Sequence, residues 1–385
     1  MRIALILKTN TGGMWAVPQL QELRDRGHDV MAILPSGDGR LRRRLDDLNI
    51  PVHGIKYDFS LNNPVELLRA TRTIRRIIKQ NSIDCIFYHL IQSAVVARLS
   101  TVGMRLTRIH MVAGPLYLES QSIAKVEAHL SRFDHMIIAG SDYTRERYDE
   151  IGTPRDKLVS IPYGVDTERF SPGPNRREEI LGVGADTFVV IMVAYVYAPK
   201  SSVYPETGIK GHDTLLRAWE QFALNRKNVR LVLVGSGFDA DGERHRQVLI
   251  NDFDVEDSST VTWFETVEDV RELYSCADIS VAPSLSENHG SALESSSMRL
   301  PAIVSDAGAL PEAVTSDTGW VIPRGSVEQL LDALSGAYDE HITGSLSKRG
   351  IAARELMQSS FELKDCAGRV ADTIEETSRL THRKL

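Results

Sequence analysis

The sequence predicts an α/β protein made of two doubly wound parallel-sheet units of similar size. Three observations carry that prediction. Short apolar runs alternate with helical patterns from the first residues onward. The alternation breaks at SPGPN (171–175), a Pro- and Gly-rich stretch suited to a linker, and then restarts with FVVIMVAY (188–195). A length of 385 residues also suits two domains of ordinary size.

In the first half, RIALIL (2–7) reads as a buried strand. A loop with Gly12-Gly13 follows, then a helix to about Arg26, with Gly27 as its stop. DVMAIL (29–34) is a second strand, and residues 64–80 read as a helix with Pro64 in its first turn. DCIFYH (84–89), TRIHMV (107–112) and HMIIAG (135–140) are strand-like, the last leading into Ser141-Asp142 as a helix cap. In the second half a helix follows Gly211. VRLVLVG (229–235), VTWF (261–264), DISVAPS (278–284) and PAIVSD (301–306) supply further strands. Residues 361–385 read as a polar helix with a charged tail. The expected division is 1–168, 169–360, and a terminal helix at 361–385 returning to the first domain. Ligands of such sheets bind beyond the carboxyl ends of the strands, so each half offers one binding edge.

Composition narrows the class. With 42% hydrophobic and 25% charged residues, disorder and collagen-like repeats are excluded. No stretch approaches the ~18 apolar residues of a membrane span. The N-terminal run lacks a small-residue cleavage site and is read as a strand, not a signal peptide. Cys85, Cys276 and Cys366 are far apart, which argues against a disulfide framework or zinc site and for a reducing cytoplasm. The net charge of −7 is uneven: residues 1–170 carry +5 and the remainder −12. A general nucleic-acid binder would be more basic, and the asymmetry suggests different partners for the two halves.

Five motifs bear on chemistry. Gly12-Gly13 after the first strand lets a backbone approach an anion, although an ordinary turn has the same form. Gly235-Ser236-Gly237-Phe238-Asp239-Ala240 matches a dinucleotide fingerprint, but it follows the second strand of its unit instead of the first. Asp239-Ala240-Asp241 and Asp252-Phe253-Asp254 could hold a divalent cation or be solvated acid. Lys210 before Gly211 at a helix start could reach a phosphate or simply face solvent. The segment from Pro283 to Glu294 is the most informative. It leaves a strand, turns through Asn288-His289-Gly290-Ser291-Ala292 and enters a helix between two carboxylates, Glu287 and Glu294. The amides of that turn favour an anion, while the glutamates suit neutral hydroxyls of a sugar or ribose.

In sequence order these segments resemble the retaining nucleotide-sugar glycosyltransferases of glycosyltransferase family 4, which have the GT-B fold of two Rossmann-like domains facing a cleft. The resemblance spans nearly the whole chain. It rests on Gly12-Gly13, Arg26-Gly27-His28-Asp29-Val30, Ile161-Pro162-Tyr163-Gly164-Val165-Asp166, Lys210-Gly211, Leu233-Val234-Gly235-Ser236-Gly237, Pro283-Ser284, Glu287, Glu294, Gly308-Ala309-Leu310-Pro311-Glu312 and Thr318-Gly319-Trp320.

The resemblance implies roles. Glu294 holds the nucleotide ribose, and Glu287 contacts the donor sugar. Gly290 and Ser291 offer amides, Lys210 neutralises the diphosphate, and Gly12 and Gly13 close on the phosphates. Asn288, His289, Ala292, Gly235 and Gly237 complete the expected donor site, with Glu287, Lys210 and His110 as catalytic candidates. Three departures stand out. The glutamates are one residue closer than usual. Tyr195 occupies the place of a customary arginine, with Lys200 as a substitute. Ala113 stands where a histidine often lies, which leaves His110 and His89 as alternatives, each of which could equally be a core residue.

The expected activity is metal- and cofactor-independent transfer from a UDP- or GDP-sugar to a hydroxyl of a glycan, glycolipid or natural product. The rivals are a non-catalytic sugar-binding protein and an NAD-dependent enzyme using the Gly235 loop. The basic helix 64–80, with Arg69, Arg72, Arg75, Arg76 and Lys79, either faces solvent or touches an anionic membrane from the cytoplasmic side.

Overall fold

Both sheets are parallel throughout, and each is covered by helices on two faces. The computed structural model describes residues 1–114, 116–199, 207–224 and 226–384. Lys200 lies outside the described residues. The chain forms two compact units, one of residues 1–164 with 363–385 and the other of residues 165–362.

Unit 1 runs β1 (Arg2–Ile6), α1 (Val17–Asp25), β2 (Asp29–Pro35), α2 (Arg40–Asp47), β3 (Val52–Ile55), α3 (Pro64–Gln80), β4 (Cys85–His89), α4 (Ile91–Ser100), β5 (Thr107–Val112), α5 (Gln121–Leu130), β6 (Met136–Ala139), α6 (Asp142–Glu150) and β7 (Leu158–Ser160). Its sheet order is β3-β2-β1-β4-β5-β6-β7. The two-residue period of a strand explains why β1 is apolar from Ile3 to Ile6. Ile3 and Leu5 face one core, while Ala4 and Ile6 face the other. Local chemistry fixes the helix starts. Asn63 accepts from the Val65 and Glu66 amides at 3.1 and 3.3 Å, and the Ser141 hydroxyl accepts from Thr144 N–H at 3.1 Å.

Unit 2 runs α7 (Arg177–Leu181), β8 (Phe188–Val193), α8 (His212–Ala223), β9 (Val229–Val234), α9 (Ala240–Asp252), β10 (Val261–Phe264), α10 (Arg271–Tyr274), β11 (Ile279–Ala282), α11 (Ser291–Ser297), β12 (Ala302–Ser305), β13 (Gly319–Ile322), α12 (Val327–Thr343) and α13 (Leu346–Ser360). Its order is β10-β9-β8-β11-β12-β13. The SPGPN segment lies within this unit, where Gly173 packs beside Ser275. The boundary falls earlier, at Gly164/Val165, not at 168/169.

The terminal helix α14 (Leu363–Lys384) belongs to unit 1. Cys366, Val370, Ala371 and Ile374 complete the core that contains Ile3, Leu5, Leu20 and Leu23. Arg26 pairs with Asp372 at 2.5 Å, and His28 Nε2 lies 2.8 Å from Glu375. All three cysteines are buried thiols. Among the described residues no helix is long and apolar enough to cross a membrane.

Candidate functional site at the carboxyl edge of the second sheet

Unit 2 lays down β8 first, adds β9 and β10 on one side, then returns to add β11, β12 and β13 on the other. Strand order therefore reverses between β8 and β11. Loops leaving such a point diverge and open a crevice at the carboxyl edge. The segment preceding α8 carries Lys210, and the loop after β11 carries Glu287. The two segments are tied together: Leu285 N–H donates to Ile209 O at 2.8 Å. The Ser291 hydroxyl donates to Val193 O, at the end of β8, at 2.9 Å.

Across this junction the Lys210 ammonium pairs with the Glu287 carboxylate, and the two side chains are only 20% and 17% exposed. Glu287 is held by its backbone. Ala309 N–H donates to Glu287 O at 3.3 Å, and a Cβ on Gly308 would stand 1.9 Å from that oxygen. Gly308 also has φ +59°, so the Gly308-Ala309 turn admits little besides glycine there. Asn288 turns its amide N–H to Glu287 Oε1 at 3.1 Å. Its side-chain oxygen is buried with no hydrogen-bond partner among the described residues, a costly state that a ligand donor would relieve.

Glu294 sits in the first turn of α11, with the Tyr274 hydroxyl 3.5 Å from Oε2. Burial pushes its carboxyl up to about 7, against the opposing pull of Arg169. A carboxyl poised near neutrality in a crevice is characteristic of a binding or catalytic group. The anion-binding expectation for the turn needs trimming. Ala292 N–H is already used by His289 O at 3.2 Å, whereas the Gly290 and Ser291 amides precede the first helical bond. At seven residues, α11 contributes local amides more than a macrodipole. His289 is buried, its ring edge on Phe361; its Nε2 is 3.7 Å from Glu312 and, like the Asn288 side-chain oxygen, has no hydrogen-bond partner among the described residues.

Several expectations are corrected. The Gly235 and Gly237 amides are not available to a phosphate. Gly235 N–H donates to Phe264 O at 3.0 Å, and Gly237 N–H donates to Glu243 Oε2 at 2.7 Å. The Asp239 carboxylate caps Gly242 N–H at 2.8 Å. Glu243 is held ionised, down to about 2, chiefly by Arg246. Two carboxylates thus stand where a dinucleotide pyrophosphate would sit, which removes the NAD reading. The paired aspartates are also accounted for. Asp239 is that cap, Asp241 pairs with Arg244, and Asp252-Phe253-Asp254 lies at the far end of α9. Among the described residues no cluster of three or more His, Cys, Asp or Glu side chains could hold a metal.

His110 is not a substrate-facing group. It lies wholly buried inside β5, with Arg98 Nη2 3.2 Å from Nδ1 and the Tyr88 ring stacked on it at 5.3 Å. Burial first, and then the Arg98 charge, hold its pKa well below the ordinary histidine value. His89 is likewise a core histidine. Its Nδ1 is 3.0 Å from the Tyr163 hydroxyl, its ring packs on Trp15 and Phe87, and burial lowers it to about 3. In unit 1, Gly12 is exposed at the loop tip, its amide donating to Thr9 Oγ1 at 3.1 Å, while Gly13 is buried against Leu7.

Sequence reasoning missed Tyr274 and Arg169, the two groups that bear on Glu294. It also missed the exposed rings around Tyr195, described below. Tyr274 and Arg169 both lie in segments that share the family resemblance, Tyr274 within 273–278 and Arg169 just after Asp166, but nothing local in the sequence ties either of them to Glu294.

Comparison with known proteins agrees with this geometry. The description "Glycosyltransferase Family 4" matches residues 19–169, and "Glycosyl transferases group 1" matches residues 201–340. The chain is 26% identical to a GDP-mannose-dependent alpha-(1-6)-phosphatidylinositol monomannoside mannosyltransferase of Mycobacterium tuberculosis over 317 residues, 78% of this chain and 77% of that one. It is 31% identical to a D-inositol 3-phosphate glycosyltransferase of Mycobacteroides abscessus over 206 residues, 52% of this chain and 43% of that one. A glycosyltransferase structure from Rickettsia africae superposes with a TM-score of 0.82 at 20% identity over 98% of both chains. Anabaena HepE, solved with UDP, superposes with a TM-score of 0.80 at 20% identity over 98% of this chain and all of that one. With two successive family descriptions covering both units and the sheet order of each in place, the chain belongs to the group 1 glycosyltransferases of family 4 and has the GT-B fold.

Proposed function

We propose that the enzyme moves a sugar from a nucleoside-diphosphate sugar to a hydroxyl acceptor with retention of configuration and without a metal. The observation that carries this reading is the Lys210–Glu287 pair at the switch point, with Glu294 one helical turn beyond it. An incoming diphosphate competes with Glu287 for the Lys210 ammonium. Glu287, released, accepts from sugar hydroxyls, and Glu294 accepts from the ribose. The acceptor hydroxyl attacks on the face of the leaving group. The bond from the sugar to the diphosphate breaks, and the departing diphosphate oxygen takes the acceptor's proton. Lys210 and the Gly290 and Ser291 amides stabilise the charge that develops. The names of the mycobacterial relative and of the HepE complex, with GDP-mannose and UDP respectively, support the donor class.

Calorimetric titration with UDP, GDP, ADP and NAD tests the reading. One nucleoside diphosphate is expected to bind and NAD is not. Tight NAD binding with no nucleoside-diphosphate binding would defeat it. With the competent donor, transfer is expected to survive EDTA, and NMR of the product is expected to show the donor's anomeric configuration.

We further propose peripheral contact with an anionic membrane through the start of α3. Leu61, Val65 and Leu68 are exposed there beside exposed Arg69 and Arg72, while Ala70, Thr71, Ile74 and Ile78 face the core. Apolar side chains rimmed by arginine suit an interfacial site. Co-sedimentation with phosphatidylglycerol vesicles at low salt is the check, and absence of binding removes the idea.

A further inference from the structure

Beside the charged pair lies an aromatic surface that the proposed chemistry leaves unused. The Lys210 ammonium sits 6.0 Å from the Tyr197 ring centroid. Tyr197 stacks on Phe238 at 4.6 Å and 20° between planes, and Tyr195 meets Phe238 edge-on at 6.0 Å. Three rings therefore extend outward from Lys210. Aromatics make up only 6% of the chain, yet Tyr195 is 46% exposed and Phe238 58% exposed.

The surface is built, not loose. Beyond their ends, β8 and β9 continue to zip together. Val196 N–H donates to Ser236 O at 3.0 Å, and Phe238 N–H donates back to Val196 O at 2.9 Å. Gly235 permits this approach, since a Cβ there would stand 2.1 Å from Ala194 O. The rings are thus fixed by backbone bonds of two neighbouring strands.

We infer that Tyr195, Tyr197 and Phe238 form a stacking platform for the sugar ring of the donor. This inference rests on the donor-site reading above. A pyranose has an apolar C–H face and a rim of hydroxyls, so it suits exposed rings beside a carboxylate. The orientation follows from charge. The Tyr197 phenol is pushed up to about 12, first by burial and then by the Glu287 carboxylate. Tyr197 also borders Lys210, the partner of Glu287, so the rings lie on the Glu287 side of the crevice, where the sugar is proposed to bind. Tyr195, in place of the customary arginine, contributes ring surface where a second cation is usual. Phosphate neutralisation then falls on Lys210, and affinity shifts toward the sugar.

The test uses the full chain with Tyr195→Ala and Phe238→Ala combined. Both side chains are exposed, so an unchanged melting temperature is expected and verifies the fold. Calorimetry compares UDP and GDP with whichever of UDP-glucose, UDP-N-acetylglucosamine and GDP-mannose the native enzyme binds. Affinity for the free nucleoside diphosphate is expected to stay within about twofold. Affinity for the matching sugar nucleotide is expected to fall at least about fivefold, the size of an aromatic contact. Tyr195→Phe with Phe238→Tyr, which keeps both rings, is expected to restore it. Parallel loss of both affinities would put the base on the rings, and retention of both would show that the rings do not touch the donor. Either result overturns the platform. Failure of the native enzyme to bind UDP or GDP defeats the donor-site reading itself, before any variant is made.

Discussion

The two units share one winding pattern, but the charges buried beside β5 in unit 1 and those at the candidate site of unit 2 are held in opposite ways. Unit 1 buries a set of them. Arg98, 1% exposed, reaches Glu127 and Asp134 at 2.6 Å each, with both carboxylates fully buried. Tyr88 donates to Asp134, Tyr148 donates to Glu127 at 2.8 Å, and Tyr117 bonds Tyr148 at 2.5 Å. Unit 2 places Lys210, Glu287 and Glu294 at a sheet edge, with few partners each. A densely bonded buried network holds a fold, since removing one member strands the others. Sparsely bonded charges at a rim are held ready for a ligand. Rarity of charge in a core therefore does not mark a site; incomplete satisfaction beside a crevice does.

The strongest way to break this comparison is Arg98→Leu. It leaves Glu127 and Asp134 buried without their cation and is expected to cost ~3–5 kcal/mol, read from chemical denaturation of the whole enzyme. A stability near native would show that the network is dispensable. Lys210→Ala should do the reverse. Its melting temperature should stay near native while turnover at saturating donor falls about 100-fold, the typical loss of one preorganised charge donor. Near-normal turnover would remove Lys210 from the mechanism.

The smallest effect concerns Glu294. Its pKa of about 7 lies above the ordinary 4.5, so the carboxyl costs stability as pH rises from 4.5 toward 7, and the cost is complete above 7. A ribose that needs the carboxylate must displace its proton at lower pH. Nucleoside-diphosphate affinity is therefore expected to rise up to about tenfold between pH 6 and 8, and Glu294→Gln is expected to flatten that rise. A flat profile in the native enzyme would show that binding does not require the ionised form.

The central strands were legible because parallel strands buried on both faces read as continuous apolar runs. β5 matches its predicted span, as does helix α3; the edge strand β10 was also read, because VTWF is rich in β-branched and aromatic residues. The missed strands, β3, β7 and β13, all lie at sheet edges. VHGI, LVS and GWVI are short and only partly buried, so their periodicity is weak. In the candidate site, Glu287, Gly290 and Glu294 were visible as a local motif, because one turn holds them together. The fate of the Gly237 amide was not visible, since it depends on Glu243 folding back from the next helix. Nor could sequence separate His110 the ligand from His110 the core residue. Its partner Arg98 lies 12 positions away on another element.

Helix α14 has a consequence for how the chain is made. The backbone enters unit 2 at Val165 and leaves it at Glu362, and these ends adjoin: Val165 N–H donates to Phe361 O at 2.8 Å. Unit 2 is thus inserted into unit 1. During synthesis from the N-terminus, every residue of unit 2 emerges before Cys366, Val370, Ala371 and Ile374, which the core of unit 1 requires. The unit begun first is finished last, with its core open until the final helix arrives.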